Sequence, residues 1–241
     1  MEIAGRVVLI TGASAGIGLA TVRRLADSGA KLALIARSAE TLERLARELR
    51  GQAHEVIAIP ADLRDPAQIR RVVAETMAHF GKIDFLINNA GQAAAGTVAD
   101  VNPADFQAIL ELNVFGPLLL MQAVIPHMRA QGGGVIVNVS SMVSKMRLPG
   151  LAAYAATKSA LNMLSDTARV ELAPENIRVI SIFPRLTDTD FSKNSLGNQV
   201  LRRQQRAPSA AIPIDTPEHV AERILDAVIT EVEEQYMVTE E

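Results

Sequence analysis

Short apolar runs alternate with amphipathic segments along nearly the whole 241-residue chain. The runs are rich in β-branched residues, as is typical of buried strands. The segments between them repeat apolar residues at i, i+3, i+4 and i+7, which is typical of helices that pack one face on a core. The predicted strands cover residues 6–10, 31–36, 55–59, 83–87, 135–139 and 178–183, with a short seventh near Tyr236.

This alternation predicts a Rossmann-like α/β fold, a doubly wound parallel sheet of about seven strands with helices on both faces. There is no linker-like break and no internal repeat, so residues 1–241 form one predicted domain. Asn102-Pro103 begins a predicted long helix that runs to about Arg129 and is kinked at Pro117. Residues 190–215 are polar and lack periodicity, which predicts a substrate lid before a last helix.

Composition narrows the class of protein. Hydrophobic residues make up 49% and charged residues 21%, as in globular proteins, and a net charge of −3 creates no field that attracts nucleic acid. The chain has no cysteine and four scattered histidines, so we expect neither thiol chemistry nor a metal site. The N-terminus shows no signal pattern, and the longest apolar stretch, residues 114–128, is shorter than the ~20 residues of a bilayer span. A cytoplasmic protein without a membrane partner is therefore expected.

The stretch from Val135 to Ala160 carries the candidate chemistry. Its apolar strand ends on Ser140-Ser141, and the helix-like segment that follows presents Tyr154 and Lys158 on one face. A nearby ammonium lowers the pKa of a phenol from its usual value of about 10, so such a tyrosine can exchange a proton near neutral pH. The alternative is a buried tyrosine beside a surface lysine.

A glycine-rich turn follows the first strand. The sequence from Thr11 to Gly18, TGASAGIG, lies between that strand and a predicted helix. Strand, glycine turn and helix N-terminus together can hold a phosphate. A plain tight turn is the alternative, because the glycine spacing differs from GxGxxG.

Cofactor preference rests on the residues after the second strand. Arg37 stands nineteen residues after Gly18, with Ser38 beside it and no acid before Glu40. A carboxylate at this place binds the ribose diol of NAD, whereas a guanidinium suits the 2′-phosphate of NADP. We therefore expect NADP(H) in preference to NAD(H); a surface arginine at a strand end is the alternative.

Polar or glycine-containing segments follow several other predicted strands. Asp62, Asn88–Gly91 and Pro184–Thr189 occupy such positions, as do the glycine turn and Ser141. The C-terminal ends of parallel strands meet at one edge of a sheet, where ligands bind. These segments should therefore line one crevice.

These motifs resemble those of the short-chain dehydrogenase/reductase family over essentially the whole chain. The family's TGxxxGxG turn corresponds to Thr11–Gly18, its NNAG element to Asn88–Gly91 and its mid-helix asparagine to Asn113. Its serine, thirteen residues before a YxxxK, corresponds to Ser141. The resemblance implies hydride transfer between a nicotinamide cofactor and a small-molecule carbonyl or alcohol.

The resemblance also implies residue roles. Tyr154 would be the general acid/base, and Lys158 would lower its pKa and hold the nicotinamide ribose. Ser141 would polarise the carbonyl, and Asn113 would anchor a water that links Lys158 to solvent. The implied cofactor contacts are Gly12, Ser14, Ala15, Gly16, Ile17, Gly18, Arg37, Ser38, Asp62, Leu63, Asn89, Ala90, Gly91, Tyr154, Lys158, Pro184, Thr187 and Thr189.

Several of these roles have alternatives. Asn89 and Asn113 could be structural hydrogen-bonding residues only, and Asp62 could merely cap a turn. Ser140 could be the reactive serine in place of Ser141.

One position departs from the family pattern. Family members usually have glycine after the proline of a PGxxxT element, whereas this chain has Pro184-Arg185. Our hypothesis is that Arg185 points into the substrate region and favours an anionic or strongly polar substrate. The alternative is that it points to solvent or pairs with a neighbouring acid.

Apolar residues near the predicted site suggest a pocket, although ordinary core or lid packing would explain them equally. With Arg185, the candidate pocket residues are Met142, Val143, Met146, Leu148, Leu151 and Phe191. Residues 114–128 are apolar nearly all round, which predicts subunit packing in a homodimer or homotetramer, as the resemblance also implies.

Two other classes of function share this fold, a catalytically silent dinucleotide sensor and a scaffold. Loss of Tyr154 or Lys158 would indicate the sensor, and both residues are present. A scaffold would leave the cofactor motifs unexplained. The sequence does not identify the substrate.

Overall fold

The computed structural model describes residues 2–197, 214–230 and 232–237 of the chain. The strands are β1 (Val7–Thr11), β2 (Lys31–Ala36), β3 (Val56–Pro60), β4 (Phe85–Asn88), β5 (Ala94–Ala95), β6 (Gly134–Val139), β7 (Ile177–Phe183), β8 (Leu196–Gly197) and β9 (Glu234–Tyr236). The helices are α1 (Gly16–Asp27), α2 (Ala39–Gly51), α3 (Pro66–Phe80), α4 (Pro103–Leu110), α5 (Gly116–Ala130), α6 (Ala152–Leu172) and α7 (Pro217–Thr230). A π-helical turn covers Glu111–Phe115, and short 3-10 turns cover Met142–Lys145, Ala173–Glu175 and Asp190–Asn194.

Seven strands form one parallel sheet in the order β3-β2-β1-β4-β6-β7-β9, so the predicted doubly wound parallel sheet is confirmed. The chain moves outward from β1 to β3 on one side and from β4 to β9 on the other. The loops that follow β1 and β4 therefore diverge. They leave a crevice beyond the C-terminal ends of these strands, where ligands bind in folds of this type.

Both faces of the sheet are covered, which explains why its strands read as continuous apolar runs. Every residue of β1 is buried. Val8 and Ile10 pack with α1, α2 and α7 on one face, whereas Leu9 packs with α3 and α5 on the other. This alternation follows from the twofold side-chain period of a strand.

One edge of the sheet, β3, is covered by arginine side chains. Arg50 Nε donates to Val56 O at 2.8 Å, and Arg71 Nη2 donates to Pro60 O at 2.6 Å. Pro60 has no backbone N–H to offer. Backbone acceptors at two positions of this edge are therefore occupied by the chain's own side chains.

The predicted long helix is present, since α4, the π-helical turn and α5 follow one another without a break from Pro103 to Ala130. Asn102 caps α4 by accepting from Ala104 N at 2.8 Å, as predicted, but the helix then widens into the π-helical turn. Pro117 directly follows the π-helical turn, and its missing N–H removes one hydrogen bond of this helical run. The irregularity of the helix lies at Glu111–Phe115, around Asn113, and not at Pro117 itself.

The stretch Pro103–Ala130 is long and apolar enough to cross a membrane by length and composition alone. It is the one such stretch among the residues described, and its most apolar window has a mean hydropathy of 1.8. Half of that window is buried inside the protein, and a core helix of a soluble protein meets the same criteria.

The predicted lid, residues 190–215, lies partly within the described ranges. Its first part is attached to the body: β8 pairs in parallel with β5, and Leu196 N donates to Ala93 O at 2.8 Å. Gln92 Nε2 also donates to Asn194 O at 2.7 Å. Residues 198–213 lie outside the described residues.

Candidate active site

The glycine-rich turn makes a close-fitting bend at the end of β1. Gly12 and Gly16 have φ of +67° and +52°, in the region that favours glycine. A Cβ on Gly18 would overlap the carbonyl oxygen of Gly12 and lie 2.5 Å from Asn89 Nδ2. Ala15 provides no side-chain cap for α1, so the first N–H groups of this helix have no side-chain partner. An uncapped helix N-terminus behind a glycine turn is suited to a phosphate.

The residues of this turn are accessible to a ligand. Ser14, Gly16 and Ile17 are partly exposed, and Ala15 is fully exposed.

Asn89 braces the turn from the end of β4. Its Nδ2 donates to Thr11 O at 2.9 Å and to Gly12 O at 3.3 Å. The backbone N–H groups of Asn89 and Ala90 both donate to Thr11 Oγ1 at 3.0 Å. The structural role considered for the Asn89 side chain is therefore observed, and it sets the shape of the glycine turn.

Arg37 and Ser38 are exposed directly after β2. Ser38 Oγ donates to Thr41 Oγ1 at 3.0 Å in the first turn of α2. Within the part of the chain that the structure describes, the Arg37 guanidinium has no hydrogen bond or ion pair. It is therefore free to bind a ligand.

Asp62, after β3, is paired with an arginine that the sequence patterns did not single out. Arg64 donates from Nε to Asp62 Oδ1 at 3.0 Å and from Nη2 to Oδ2 at 2.6 Å. The hydrogen bonds from Arg64, and at longer range the charge of Arg37, hold the pKa of Asp62 below its usual value. Asp62 also accepts from Arg64 N at 3.0 Å, so it caps this turn, and Leu63 beside it is buried.

The two serines at the end of β6 have different surroundings. Ser140 is buried, and its hydroxyl donates to Asn162 Oδ1. Ser141 begins the 3-10 turn, where its Oγ accepts from Val143 N at 3.2 Å. The hydroxyl hydrogen of Ser141 is thus left to donate elsewhere, which favours Ser141 over Ser140 as the group that polarises a carbonyl.

Tyr154 and Lys158 lie one turn apart on α6, and both are buried. The Lys158 Nζ donates to Val139 O at 2.8 Å and lies 5.9 Å from the centroid of the Tyr154 ring. Burial raises the pKa of Tyr154 to about 12, although a hydrogen bond from Ser141 acts in the opposite direction. Burial also lowers the pKa of Lys158 to about 8.

The expected lowering of the Tyr154 pKa by Lys158 is not seen in this structure. Removal from water disfavours both charged forms, the phenolate and the ammonium. The ammonium is also directed to Val139 O, and Lys158 is not among the groups that shift the pKa of Tyr154. Tyr154 is therefore protonated at neutral pH.

Asn113 lies in the π-helical turn with hydrogen bonds at both ends of its side-chain amide. Its Oδ1 accepts from Gln92 N at 2.9 Å, and its Nδ2 donates to Gln92 O at 2.8 Å and to Thr157 Oγ1 at 3.0 Å. Asn113 thus joins the loop after β4 to the helix that carries Tyr154. A Cβ on Gly91 would lie 3.4 Å from Asn113 Oδ1 and 3.5 Å from the Lys158 Nζ, so these three residues adjoin. The water assigned to Asn113 stays a prediction.

The segment after β7 closes the crevice on its other side. A Cβ on Gly16 would lie 3.0 Å from Thr189 Cγ2, so this segment adjoins the glycine turn. Pro184 O accepts from Met142 N at 2.9 Å, which ties the same segment to the loop after Ser141. Thr187 Oγ1 donates to Arg185 O at 3.1 Å.

The hypothesis that Arg185 points to the substrate is not supported, because its guanidinium is bound elsewhere. It forms an ion pair with Asp215, and the two side chains are only 18% and 6% exposed. Hydrogen bonds from Arg185 to this carboxylate raise the pKa of the guanidinium further. The alternative, pairing with an acid, is what the structure shows.

Three of the predicted pocket residues meet Tyr154. The Phe191 ring centroid lies 5.7 Å from that of Tyr154, with the rings inclined at 52°. Val143 and Leu151 pack with Tyr154 in a small apolar cluster separate from the two cores of the sheet. In the described structure Met142, Met146 and Leu148 belong to the same loop but do not pack in that cluster.

Comparison with known proteins settles the family. A family model described as short chain dehydrogenase matches residues 6–199. This chain belongs to the short-chain dehydrogenase/reductase family. It is similar to 2-(R)-hydroxypropyl-CoM dehydrogenase of Xanthobacter autotrophicus, with 36% identity over 224 residues that cover 91% of this chain and 90% of that protein.

Solved structures agree with this membership. A short chain dehydrogenase/reductase from Burkholderia phymatum in complex with NAD has a TM-score of 0.90 and 25% identity, covering 98% of this chain and 90% of that chain. A short chain dehydrogenase from Burkholderia cenocepacia in complex with NADP has a TM-score of 0.83 and 30% identity, covering 99% and 90%.

The residues of this short-chain dehydrogenase/reductase fit a nicotinamide dinucleotide. Side chains are excluded at Gly12 and Gly18, so a backbone cradle lies in front of the uncapped α1 N-terminus. Arg37 and Thr189 border the same crevice from its two ends. Among the described residues no group of three His, Cys, Asp or Glu side chains could hold a metal ion.

Sequence reasoning about this family member missed several site residues. Asn162 stands four residues after Lys158 on the same helix face, so helical periodicity could have indicated it. Asp215 could not be found this way, because it lies 30 residues from Arg185 in the chain. The other residues missed are Arg64, Gln92, Ser144 and Thr157.

Proposed function

We propose that this short-chain dehydrogenase/reductase is an NADPH-dependent carbonyl reductase that acts in reverse as an alcohol dehydrogenase. The observation that carries the proposal is that the hydroxyl groups of Ser141 and Tyr154 neighbour each other beside the buried Lys158. Two neighbouring hydroxyl groups can both bind one substrate oxygen. That arrangement is suited to an oxygen that changes between carbonyl and alcohol.

Tyr154 acts as the general acid in reduction. Its pKa of about 12 keeps the phenol protonated at neutral pH, which is the form that can donate. As the carbonyl oxygen gains negative charge, Tyr154 donates its proton while Ser141 donates a hydrogen bond to the same oxygen. When bound, the nicotinamide cofactor supplies the hydride for reduction and accepts it in oxidation.

Lys158 serves Tyr154 in two ways. Its pKa of about 8 lies close to neutrality, so it can return a proton to the phenolate after each turnover. Its Nζ also adjoins Gly91 at the wall of the crevice, where it would hold the ribose hydroxyls of the cofactor. Asn113, next to Gly91, would hold the water through which Lys158 regains its proton.

NADP(H) is the preferred cofactor in this proposal because the residues after β2 offer an exposed cation. Arg37 is exposed and available, while the carboxylate of Asp62 is neutralised by Arg64. A free guanidinium binds a phosphate by charge-assisted hydrogen bonds, whereas a paired carboxylate binds a ribose diol poorly.

The substrate in this proposal is a small carbonyl compound with an apolar group beside its reacting carbon. Phe191 contacts the Tyr154 ring, and Val143 and Leu151 pack against the apolar cluster that contains Tyr154. Arg185 forms an ion pair with Asp215 and so offers no unpaired positive charge to a substrate. The Xanthobacter relative carries in its name a 2-hydroxypropyl group, which is a secondary alcohol, and this supports a ketone as the oxidised substrate.

We also propose that the protein forms a homodimer or homotetramer through α5 and α6. Met163 and Val170 are 66% and 76% exposed and stand seven residues apart on α6. Phe115, just before α5, is 49% exposed. Exposed apolar side chains grouped on neighbouring helices are typical of a subunit interface.

The rival function is a dinucleotide sensor without catalysis. It would use the glycine turn and Arg37 but would give no role to the contact between Ser141 and Tyr154. The test measures NADPH binding by fluorescence and NADPH oxidation with a panel of ketones, aldehydes, 3-oxoacyl thioesters, steroids and sugars.

The Tyr154→Phe variant is the matched control in that screen. We expect it to bind NADPH like the parent protein and to lose turnover. Binding without turnover in the parent would favour the sensor, and absence of NADPH binding would contradict both functions.

A further inference from the structure

A chain of hydrogen bonds lies behind Ser141. Ser140 Oγ donates to Asn162 Oδ1, and Asn162 Nδ2 donates to Ser144 Oγ at 2.9 Å. Ser144 Oγ donates in turn to Ser141 O at 2.7 Å. The chain of bonds therefore begins one residue before Ser141 and ends on Ser141 itself.

Asn162 is the link in this chain that comes from another element. Asn162 is only 9% exposed. Both ends of its side-chain amide are bonded to residues 140–144, the serine loop. It stands on the same face of α6 as Tyr154 and Lys158, one turn beyond the lysine. One helix thus carries Tyr154 and Lys158, which move the proton, and Asn162, which holds the serine loop by hydrogen bonds.

The backbone on both sides of Ser141 is anchored as well. Ser140 N donates to Ile182 O at 2.8 Å, and Met142 N donates to Pro184 O at 2.9 Å. These backbone bonds hold the loop against β7. The side-chain amide of Asn162 adds a restraint from the direction of α6.

We propose that Asn162 is a positioning residue that holds the Ser141 hydroxyl against the Tyr154 phenol. The inference rests on the proposed function, because the position of Ser141 affects turnover only if Ser141 binds the reacting oxygen. Asn162 acts through Ser144 and Ser140 and contacts no reacting atom. A displacement of about 1 Å in a reacting group can cost about 10²-fold in rate. Hydrogen bonds that restrain Ser141 can therefore change the reaction rate.

Ser165 offers a matched control on the same helix. It is buried, accepts from Asn138 Nδ2 at 2.8 Å and donates to Leu161 O at 2.7 Å. Its bonds lead into the centre of the sheet and do not reach the serine loop. Removing its hydroxyl therefore removes a buried hydrogen bond of α6 without releasing Ser141.

The kinetic test uses the whole protein with NADPH and 9,10-phenanthrenequinone, a reactive diketone. We expect Asn162→Ala and Ser144→Ala to lower kcat by about 10-fold, with the Kd for NADPH changed by less than about twofold. Ser144→Thr retains the hydroxyl and should restore kcat. Ser165→Ala should lower Tm but leave kcat unchanged; an equal loss of kcat in Ser165→Ala would overturn the inference.

A double-mutant cycle then tests whether Asn162 acts through Ser141. Ser141→Ala alone should lower kcat by about 10²-fold, as is found when one donor to a developing oxyanion is removed. Asn162→Ala added to Ser141→Ala should lower kcat by less than about twofold further. A full and additive loss in the double variant would show that Asn162 acts elsewhere.

An NMR measurement that needs no turnover tests the positioning role of Asn162 separately from the proposed function. The chain has two tyrosines, so ¹³Cζ-labelled tyrosine yields two NMR signals, and Tyr236→Phe assigns the signal of Tyr154. Asn162→Ala should shift the Tyr154 signal as Ser141→Ala does, and Ser165→Ala should not. If the parent protein reduces no carbonyl but these shifts occur, the proposed function fails and the positioning role stands. An unmoved signal in Asn162→Ala overturns the positioning role.

Discussion

The guanidinium of Arg185 donates two hydrogen bonds to the carboxylate of Asp215, from Nε to Oδ2 at 3.1 Å and from Nη2 to Oδ1 at 2.8 Å. The backbone repeats the connection, since Asp215 N donates to Leu186 O at 2.8 Å and Asp188 N donates to Asp215 O at 2.9 Å. The segment that follows β7 is thereby fastened to the residues that precede α7. Arg185 and Asp215 are thus the two halves of a clamp between these segments.

Breaking this pair should destabilise the protein. We expect Arg185→Met or Asp215→Asn to lower the free energy of unfolding by about 2–4 kcal/mol, because each leaves a mostly buried charge or polar group without its partner. Arg23→Met is the control, since its ion pair with Glu48 is exposed on both sides and should contribute little to the free energy of unfolding. Urea unfolding followed by circular dichroism measures both; equal losses would contradict the clamp.

The same pair predicts how Arg185 affects substrate choice. If the guanidinium serves Asp215 and not the substrate, Arg185→Gly should lower kcat/KM by the same factor for neutral and for anionic carbonyl compounds. A loss of kcat/KM confined to the anionic compounds would support direct binding of the substrate by Arg185.

Replacement of glycine by alanine should have different effects on stability at two positions, Gly18 and Gly51. Gly18→Ala places a Cβ onto Gly12 O, so we expect a loss of about 3 kcal/mol in stability and at least about 10-fold weaker NADPH binding. Gly51 ends α2 with nothing within 4 Å of its Cβ position, and Gly51→Ala should be neutral or stabilising by up to about 1 kcal/mol. Thermal unfolding and NADPH fluorescence titration test the pair of variants.

Cofactor choice should depend on Arg37. Arg37→Asp exchanges a phosphate-binding guanidinium for a diol-binding carboxylate, so the preference for NADPH over NADH should fall by about 10²-fold. Arg47→Asp makes the same change of charge at another exposed position, on α2, and serves as the control. Kd values for the two cofactors decide the matter, and an unchanged ratio in Arg37→Asp would remove the role given to this residue.

The two directions of the reaction should differ in their pH dependence. Reduction needs protonated Tyr154 and a Lys158 that can return a proton, so its rate should be level near neutral pH and fall above about pH 8. Oxidation needs the phenolate and should accelerate with pH throughout the same range. Steady-state rates in both directions on one substrate pair test this, and parallel profiles would contradict the assignment.

Lys158 also makes stability depend on pH. The folded protein loses the Lys158 proton near pH 8, whereas a free lysine keeps it to 10.5, so between these values the unfolded state binds more protons. Stability should therefore rise with pH across this window, by about 3 kcal/mol from this group. Lys158→Met should remove the rise and unfold at higher temperature at pH ~7, while losing activity. A rise that persists in Lys158→Met would assign it to other groups.

The proposed subunit interface can be tested by charge. Met163→Glu combined with Val170→Glu should shift the mass measured by light scattering from an oligomer toward the monomer, because two carboxylates would be buried at the interface. Val98 is 83% exposed, but on the loop after β5, so Val98→Glu should leave the oligomer intact. A parent protein of monomeric mass would contradict the interface outright.

Much of this molecule could be predicted from local pattern. The buried strands read as apolar runs because helices cover both faces of the sheet, and the order of strand ends then brings the glycine turn and the Tyr154 helix to one crevice. These features depend on residues near each other in the chain. They also depend on a rule of topology that holds for nearly all parallel sheets.

What could not be predicted depends on groups that are distant in sequence. Asp215, the partner of Arg185, lies 30 residues further along the chain. The pKa of Tyr154 is decided by how completely the ring is buried, and no spacing of residues reveals burial of a polar tip. The π-helical turn holds Asn113, which bonds to Gln92 and to Thr157, and these partners lie 21 and 44 residues away in the chain.

Arg50 and Arg71 cover the outer border of β3, and their effect extends beyond a single molecule. A bare strand border is a template on which another polypeptide can grow a sheet, the first step toward fibrils and precipitates. Here two acceptors on that border are occupied and Pro60 can donate nothing. The arginines thus make this border of the sheet a poorer template for a strand of another molecule, which limits one route to aggregation without any part in catalysis.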